Sequence, residues 1–319
     1  MIKLERILWN SVPVRFVVRR SKHWVLPGFR GMHLYDVAVY FISQVRKVGL
    51  TERASAISFQ FLLAIPAATI FLCTLIPFMP VSQINDQLLR LARDFSPTLS
   101  TYKMIEGFLN DFFKTTRGSL LSLGFFLAIY YSSNAMMGIM RTFNKSLTKT
   151  TKKAFFASRW MAIKLTTLVI FMVIVCAILL ITQGVLTARL LKLLKIHDPT
   201  TIALIESGRW IVIVLLLVST IAFVYKYAPA VHKRWPLLSP GCLLATVLIL
   251  VVTYLFSVWV NRFGNYNKVY GSIGTILIIM MLIYINSMIL LIGFELNVSI
   301  QAVKDKQEEK QREKVKDIL

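Results

Sequence analysis

Long apolar segments alternate with short polar ones along this chain. Six segments are apolar over about 20 residues or more, which is the length a helix needs to cross the hydrocarbon core of a bilayer. Within that core only a helix or a closed barrel satisfies the backbone hydrogen bonds. The pattern predicts an all-α integral membrane protein with six transmembrane helices, over about 54–78, 118–140, 160–186, 209–228, 239–260 and 272–296.

Two segments outside these spans have the periodicity of amphipathic helices. Between His33 and Leu50 the apolar residues recur near helical spacing, which predicts an N-terminal helix lying in the membrane interface. The segment 79–117, between the first two spans, carries two apolar stripes that Pro97 separates. We therefore expect a helical outer segment of one or two amphipathic helices there.

The same pattern divides the chain into three parts. Residues 1–53 form a basic N-terminal segment, residues 54–300 the six-span membrane domain, and residues 301–319 a charged tail. In the tail Lys and Glu alternate, which predicts a solvated helix or a frayed end. The first long apolar segment begins too far from Met1 for the usual layout of a signal peptide, so we expect the first span to direct insertion.

Composition supports the membrane assignment, and charge orients it. Charged residues make up 16% of the 319, against about 25% in a soluble domain. Of the 37 Lys and Arg, 25 fall in the N-terminal segment, the tail and the connections 141–159 and 226–236. Connections rich in Lys and Arg stay on the cytoplasmic side of a membrane. Both ends of the chain are therefore predicted to be cytoplasmic.

The formal net charge of +22 also bears on partners. In a soluble protein such a charge would suggest nucleic acid. In a membrane protein, basic connections contact the anionic headgroups of lipids. We expect membrane lipids as partners at the basic cytoplasmic connections and no nucleic acid.

Polar residues inside the spans are costly and are therefore candidates for function. Asn134 in the second span, Arg141 at its end, Lys164 about one turn into the third span and Glu295 near the end of the sixth form a candidate intramembrane polar site. We expect Glu295 to pair with Lys164, Arg141 or Arg53, because pairing lowers the cost of burying a carboxylate. Two interpretations stay open: a functional group, or an ion pair that only locks two helices while Lys164 reaches to the interface.

Pro66 lies in the middle of the first span, where it frees the carbonyl of Leu62 from helical hydrogen bonding. It is a candidate helix break, which would expose backbone to a substrate. A simple kink is the alternative, since neighbouring groups often satisfy the freed carbonyl.

Catalytic and metal-binding motifs are missing from the sequence. The three cysteines and four histidines are isolated from one another, and no HExxH, P-loop, GxSxG or paired-carboxylate pattern occurs. We therefore predict no metal site, no cofactor and no catalytic residue, and we do not expect an enzyme.

An ordered set of short motifs runs through residues 225–297. It reads Y-x-x-x-P, a basic linker, PG, a span, YGS, a further span and G-x-E-L-N. Together with the early TERASAISFQFLLAIPA and the RTFN after the second span, this combination resembles the YihY/virulence factor BrkB family over most of residues 35–300. The sixth span departs from the pattern at Ile283, where many members carry Trp. The positions that match are Pro229, Pro240, Gly241, Tyr270, Gly271, Gly293, Glu295 and Asn297.

The resemblance implies a multi-pass protein of the bacterial inner membrane without a settled activity. Some members have carried a ribonuclease label, and others have been associated with envelope integrity, serum resistance or lipid export. We expect transport or export of a lipid or another envelope component. An envelope scaffold without transport is the alternative, and a ribonuclease, which needs clustered metal ligands, is less favoured.

These functions predict different structures. Transport predicts a cavity lined by Asn134, Lys164 and Glu295. A scaffold predicts tight packing throughout and an exposed patch on the segment 79–117. A nuclease predicts clustered metal ligands on the cytoplasmic side.

The predicted orientation is testable by thiol labelling of intact cells. A cysteine in place of Thr148 is expected to be shielded from a membrane-impermeant reagent until the cells are broken, because the connection 141–159 is cytoplasmic. A cysteine in place of Thr200 is expected to react in intact cells, because the connection 187–209 between the third and fourth spans is predicted to lie on the outer side. The unsubstituted chain, whose cysteines lie in apolar segments, is the control. Labelling of Thr148→Cys from outside would overturn the predicted orientation.

Overall fold

The computed structural model describes residues 28–75, 99–114, 118–147, 154–181, 199–231, 235–262 and 266–316, with the separate positions 22, 24, 89, 90, 92 and 93. Within these ranges the chain is helical and contains no strand, so the all-α prediction is confirmed. The helices are α1 (Leu34–Val48), α2 (Leu50–Leu75), α3 (Leu99–Lys114), α4 (Gly118–Ser146), α5 (Phe155–Ile181), α6 (Pro199–Tyr227), α7 (Pro240–Arg262) and α8 (Tyr266–Lys316).

Six of these helices, α2 and α4 to α8, are long and apolar enough to cross a membrane. The six-span prediction is therefore confirmed. Several helices extend beyond the predicted spans: α2 begins at Leu50, α4 continues to Ser146 and α6 begins at Pro199. Hydropathy detects only the apolar part of a span, whereas helical hydrogen bonding continues into its polar flanks. In the segment 79–117, α3 confirms a helix, and most of residues 79–98 lie outside the described part of the chain.

The last helix, α8, is much longer than a membrane span. Its 51 residues correspond to about 76 Å, against about 30 Å for the hydrocarbon core. The tail is helical to Lys316, and Lys304 Nζ lies 3.4 Å from Glu308 Oε1 one turn on. Tyr270 and Gly271, which precede the predicted sixth span, lie inside the first turns of α8. A glycine costs a helix only about 1 kcal/mol, which the rest of so long a helix readily offsets.

The helix α2 continues without interruption through Pro66. The candidate break at this residue is therefore wrong. Proline removes one hydrogen bond, which commonly kinks a helix without ending it when the turns on both sides are intact.

The helix predicted near the N-terminus is present as α1. Val37 is 1% exposed and shares a cluster with Phe29, Ile300 and Val303, so this face packs on the last third of α8 rather than on lipid. Ile42, outside this cluster, is 50% exposed on another side of α1. An interfacial position stays a prediction for that side alone.

The core of the bundle lies at one end of the spans. It contains the first half of α2, α5 and α7, the last half of α4 and α6, and the middle of α8. Phe143 stacks on Phe294 with ring centroids 3.7 Å apart, and Tyr225 meets both rings edge-on. We call this region, around Ile57, Phe143, Tyr225, Cys242 and Phe294, the packed end.

Farther from the packed end, the helices expose large apolar side chains. Phe126 of α4 is 69% exposed, Phe171 of α5 58% and Leu255 of α7 57%. Lipid tails are as apolar as these side chains, so the exposure is compatible with a bilayer and would be costly in water.

Backbone contact between α7 and α8 occurs at two glycines. A Cβ added at Gly241 would overlap the carbonyl oxygen of Gly293, and one added at Gly293 would meet the carbonyl of Gly241 and the hydroxyl of Tyr225. Small residues let membrane helices approach this closely.

This contact predicts that Gly241→Val destabilises the protein by about 3 kcal/mol or more, because the added side chain forces two packed helices apart. The measurement is the free energy of unfolding in mixed micelles titrated with SDS. Gly208→Ala, on α6, is the control: nothing lies within 4 Å of its added Cβ, so no loss is expected. Equal unfolding energies for Gly241→Val and the unsubstituted protein would refute the close crossing.

Candidate functional site

A buried carboxylate joins three helices at the packed end. Glu295 of α8 is 0% exposed, and its Oε1 accepts a hydrogen bond from the Ser146 hydroxyl at the end of α4. Arg53, in the first turn of α2, places Nη1 3.8 Å from the same Oε1. Its Nη1 also donates to the Ser146 hydroxyl at 2.7 Å and points to the Thr142 carbonyl at 3.4 Å. We call Glu295, Arg53 and Ser146 the Glu295 cluster.

The Glu295 cluster is buried at its carboxylate and reaches the protein surface at Arg53, whose side chain is 17% exposed. The Gln44 side chain lies beside the carboxylate. Glu295 Oε2 is buried without a hydrogen-bond partner among the described residues.

A second polar group lies beside the close crossing of α7 and α8. Asn297 Oδ1 accepts from the Gly241 N–H at 2.9 Å, and its Nδ2 donates to the Ser239 hydroxyl at 2.8 Å. The Ser239 hydroxyl accepts from the Cys242 N–H at 3.3 Å, which is the geometry of a helix N-cap. Pro240 then occupies the first helical position, where its missing N–H costs nothing. Asn297 thus ties the start of α7 to α8.

The Y-x-x-x-P motif that begins at Tyr225 and the RTFN motif after the second span also lie at the packed end. The Tyr225 hydroxyl donates to the Leu290 carbonyl at 2.6 Å. The Ala230 N–H, next to buried Pro229, donates to Asn144 Oδ1 at 2.8 Å. The motif after the second span is therefore bonded to the linker that follows α6, and most positions that match the family pattern converge on the packed end.

The four predicted site residues do not come together. Asn134 Oδ1 accepts a hydrogen bond from Arg159. Lys164 is exposed, with Nζ 5.5 Å from the ring centroid of Trp160, and Arg141 is exposed as well. On α4, Asn134 lies about 120° around the helix from Ser146, because each residue turns the helix by about 100°. Of the three partners expected for Glu295, Arg53 is the one observed.

Sequence reasoning missed Ser146 and Ser239. Ser239 carries a recognisable signal, since a serine followed by Pro-Gly before an apolar run is typical of a helix start. Ser146 carries none, because a lone serine at a helix end has many possible partners. Its role depends on the packing of α4 against α8.

A groove lies between α2 and α8. It has a volume of about 280 Å³ and is lined by Ser55, Ser58, Phe59, Met280, Met281 and Tyr284. Tyr284 precedes Glu295 by about three turns, so both lie on the same face of α8. The groove therefore continues the seam between α2 and α8 from the Glu295 cluster toward the middle of the spans.

In the part of the chain that the structure describes, no three His, Cys, Asp or Glu residues lie close enough together to hold a metal ion. What the site offers is hydrogen bonding and charge pairing between helices, together with a hydroxyl-lined groove open to the side.

The Glu295 cluster predicts that Glu295→Ala lowers the free energy of unfolding by about 3–5 kcal/mol, because it leaves Arg53 and Ser146 without their partner. SDS titration in mixed micelles measures this. Glu308→Ala, which removes an exposed partner of Lys304, is the control and is expected to cost at most about 1 kcal/mol. The double variant Arg53→Met, Glu295→Leu is expected to recover part of the loss, since it removes both charges. If the double variant instead loses as much free energy of unfolding as the two single substitutions added together, the two residues are not coupled.

Comparison with known proteins agrees with this architecture. A putative ribonuclease-like protein, YfkH of Bacillus subtilis, is 28% identical over 246 residues, which cover 77% of this chain and 88% of that protein. A UPF0761 membrane protein of Tolumonas auensis is 32% identical over 81 residues, 25% of this chain and 27% of its own length. Another, from Idiomarina loihiensis, is 26% identical over 123 residues, 39% and 43% of the two chains. No solved structure matches the chain.

The family model described as virulence factor BrkB matches residues 41–318, which include the Glu295 cluster and the crossing of α7 and α8. With six membrane-spanning helices and a match over most of its length, the chain is a multi-pass membrane protein of the virulence factor BrkB family.

Proposed function

We propose that this protein moves an amphipathic molecule, a lipid or lipid-like envelope component, along the seam between α2 and α8. The observation that carries the proposal is the groove of about 280 Å³ on that seam. Its walls combine the hydroxyl groups of Ser55, Ser58 and Tyr284 with the apolar side chains of Phe59 and Met281. A molecule with a polar head and an apolar chain needs both kinds of wall.

The hydroxyl groups of the groove are suited to a polar head. Ser55 donates to the Thr51 carbonyl at 2.9 Å and Ser58 to the Ser55 carbonyl at 2.9 Å, so their oxygen lone pairs remain to accept hydrogen bonds. Ligand pockets commonly measure about 300–1,000 Å³. At about 280 Å³ the groove is slightly smaller than that range, which suits one part of a lipid while the rest stays in the bilayer.

The proposed setting is the inner membrane of a bacterium, with the packed end and both chain termini at the cytoplasm. The distribution of Lys and Arg supports this orientation. At the packed end, Phe155, Phe156 and Trp160 are 65%, 83% and 60% exposed beside Arg159. Exposed aromatic rings next to basic side chains are typical of the interface between lipid and water.

An envelope scaffold is the second candidate, and a specific observation favours it. Two of the three side chains predicted to line a transport cavity are used in contacts between helices: Asn134 with Arg159 and Glu295 with Ser146. Asn297 makes a further such contact with Ser239. Such contacts lock a bundle and need no substrate. The ribonuclease in the name of the Bacillus subtilis relative has no comparable support, since the described residues offer no clustered metal ligands.

Transport along the seam predicts that purified protein in liposomes moves fluorescent phospholipid between leaflets, measured by dithionite quenching. Ser58→Trp is expected to slow this movement about tenfold or more. The larger side chain fills the groove and raises the barrier to passage by about 1–3 kcal/mol. Leu250→Trp is the control: Leu250 is 41% exposed on α7, away from the seam, and the rate should not change.

The outcomes separate the two candidates. Equal slowing by both tryptophans would exclude the groove as the route. If the unsubstituted protein moves neither phospholipid nor another amphipathic solute, the scaffold is the better description.

A further inference from the structure

A second, larger groove lies beyond the packed end, between α1 and the last turns of α8. Its volume is about 630 Å³, and Val39 and Val303 form part of its apolar lining. Val303 is eight residues past Glu295 and therefore about 12 Å farther along α8. The α8 residues of the groove are largely charged and the tail around them is exposed, so this groove opens to water rather than lipid.

The lining of this groove has an unusual charge for this chain. Three carboxylates, of Asp36, Glu309 and Glu313, face two ammonium groups, of Lys306 and Lys310. The chain as a whole has a net charge of +22. In so basic a chain, a lining without an excess of positive charge repels a basic segment less than the rest of the surface does.

The tyrosines of the groove already bind amino groups. Lys306 Nζ lies 5.0 Å from the ring centroid of Tyr40, and Lys22 Nζ lies 5.1 Å from that of Tyr35. A lysine over an aromatic face is attracted by the negative charge of the ring face. Aromatic rings and carboxylates together form a surface that suits a basic peptide.

Two contacts fix the direction from which the N-terminal chain arrives. The Leu34 N–H, at the start of α1, donates to the Trp24 carbonyl at 2.9 Å, so the chain folds back against α1. Lys22 then lies over Tyr35, which lines the groove. Lys22, which directly follows residues 1–21 in the sequence, thus lies at the groove.

The sequence of residues 1–21 complements the groove. It contains five Lys and Arg against one Glu, with apolar residues between them. We propose that the groove between α1 and α8 binds residues 1–21 of the same chain, with basic side chains at Asp36, Glu309 and Glu313 and apolar side chains over Val39 and Val303. Because the segment is tethered at Lys22, its effective concentration is in the millimolar range, and modest contacts are sufficient.

Photo-crosslinking of the full-length protein in detergent tests this proposal. A benzophenone amino acid replaces Ser43, which lines the groove, and mass spectrometry maps the linked peptides. We expect links to peptides within residues 1–21 of the same molecule, at a yield independent of protein concentration. The same amino acid in place of Ile42, which is 50% exposed and does not line the groove, is the control and should give no such links.

Charge provides the second measurement. Glu309→Lys with Glu313→Lys is expected to lower the yield of these links about fivefold, whereas Glu308→Lys, outside the lining, leaves it unchanged. In the protein with its native carboxylates, salt at about 1 M should lower the yield as well, because it shortens the Debye length to about 3 Å. The measurement at high salt uses the native carboxylates and therefore does not require a charge variant to fold.

Three results would overturn the proposal. Links from position 43 that join isotopically distinct molecules would indicate an interface between two copies. Links to lipid would indicate a membrane surface. The absence of any link to residues 1–21 would show that the segment does not occupy the groove.

Discussion

The burial of one carboxylate constrains how this bundle is assembled. Glu295 has no access to solvent, so α8 must bring it to donors that other helices supply, and α2 and α4 do so through Arg53 and Ser146. Leaving a buried charge unpaired costs several kcal/mol, which is more than most single contacts contribute. The contacts of Glu295 with Arg53 and Ser146 therefore fix how α2, α4 and α8 are positioned relative to one another along the bundle axis. Two residues farther along, Asn297 fixes α7 on the same helix.

The distribution of packing follows from these contacts. Polar pairing, the glycine crossing and the aromatic stack around Phe294 all lie within the packed end, whereas the far parts of α4, α5 and α7 expose apolar side chains. In lipid, apolar area alone does not drive helices together, so close packing concentrates where hydrogen bonds and small residues occur. Regions with few specific contacts open at low cost, and the groove between α2 and α8 extends from the packed end into such a region.

The sequence was sufficient to predict the six spans but not the contacts between them. Hydropathy identifies six helices because each must be apolar over its own length, which is a local property. Which of Arg53, Arg141 and Lys164 meets Glu295 depends on helix rotation and order, and charge alone left all three as partners. Gly241 and Gly293 are 52 positions apart, and nothing local indicates that their backbones touch. For the tail, the sequence left open a solvated helix or a frayed end, because the apolar pattern stops near Glu295. The structure shows the helix, which Lys, Gln and Glu continue well.

Under the proposed transport, the use of polar groups in helix contacts also limits where the substrate can pass. A route through the centre of the packed end would have to separate Glu295 from Ser146 and Asn297 from Gly241, leaving donors and acceptors without partners in a medium that offers few replacements. A route along the outside of the seam requires none of these changes, because the hydroxyl groups of Ser55 and Ser58 already donate within α2. The partly exposed Arg53 lies where that seam meets the packed end, so the one incompletely buried charge of the cluster is the one that an anionic head on the proposed route would reach first.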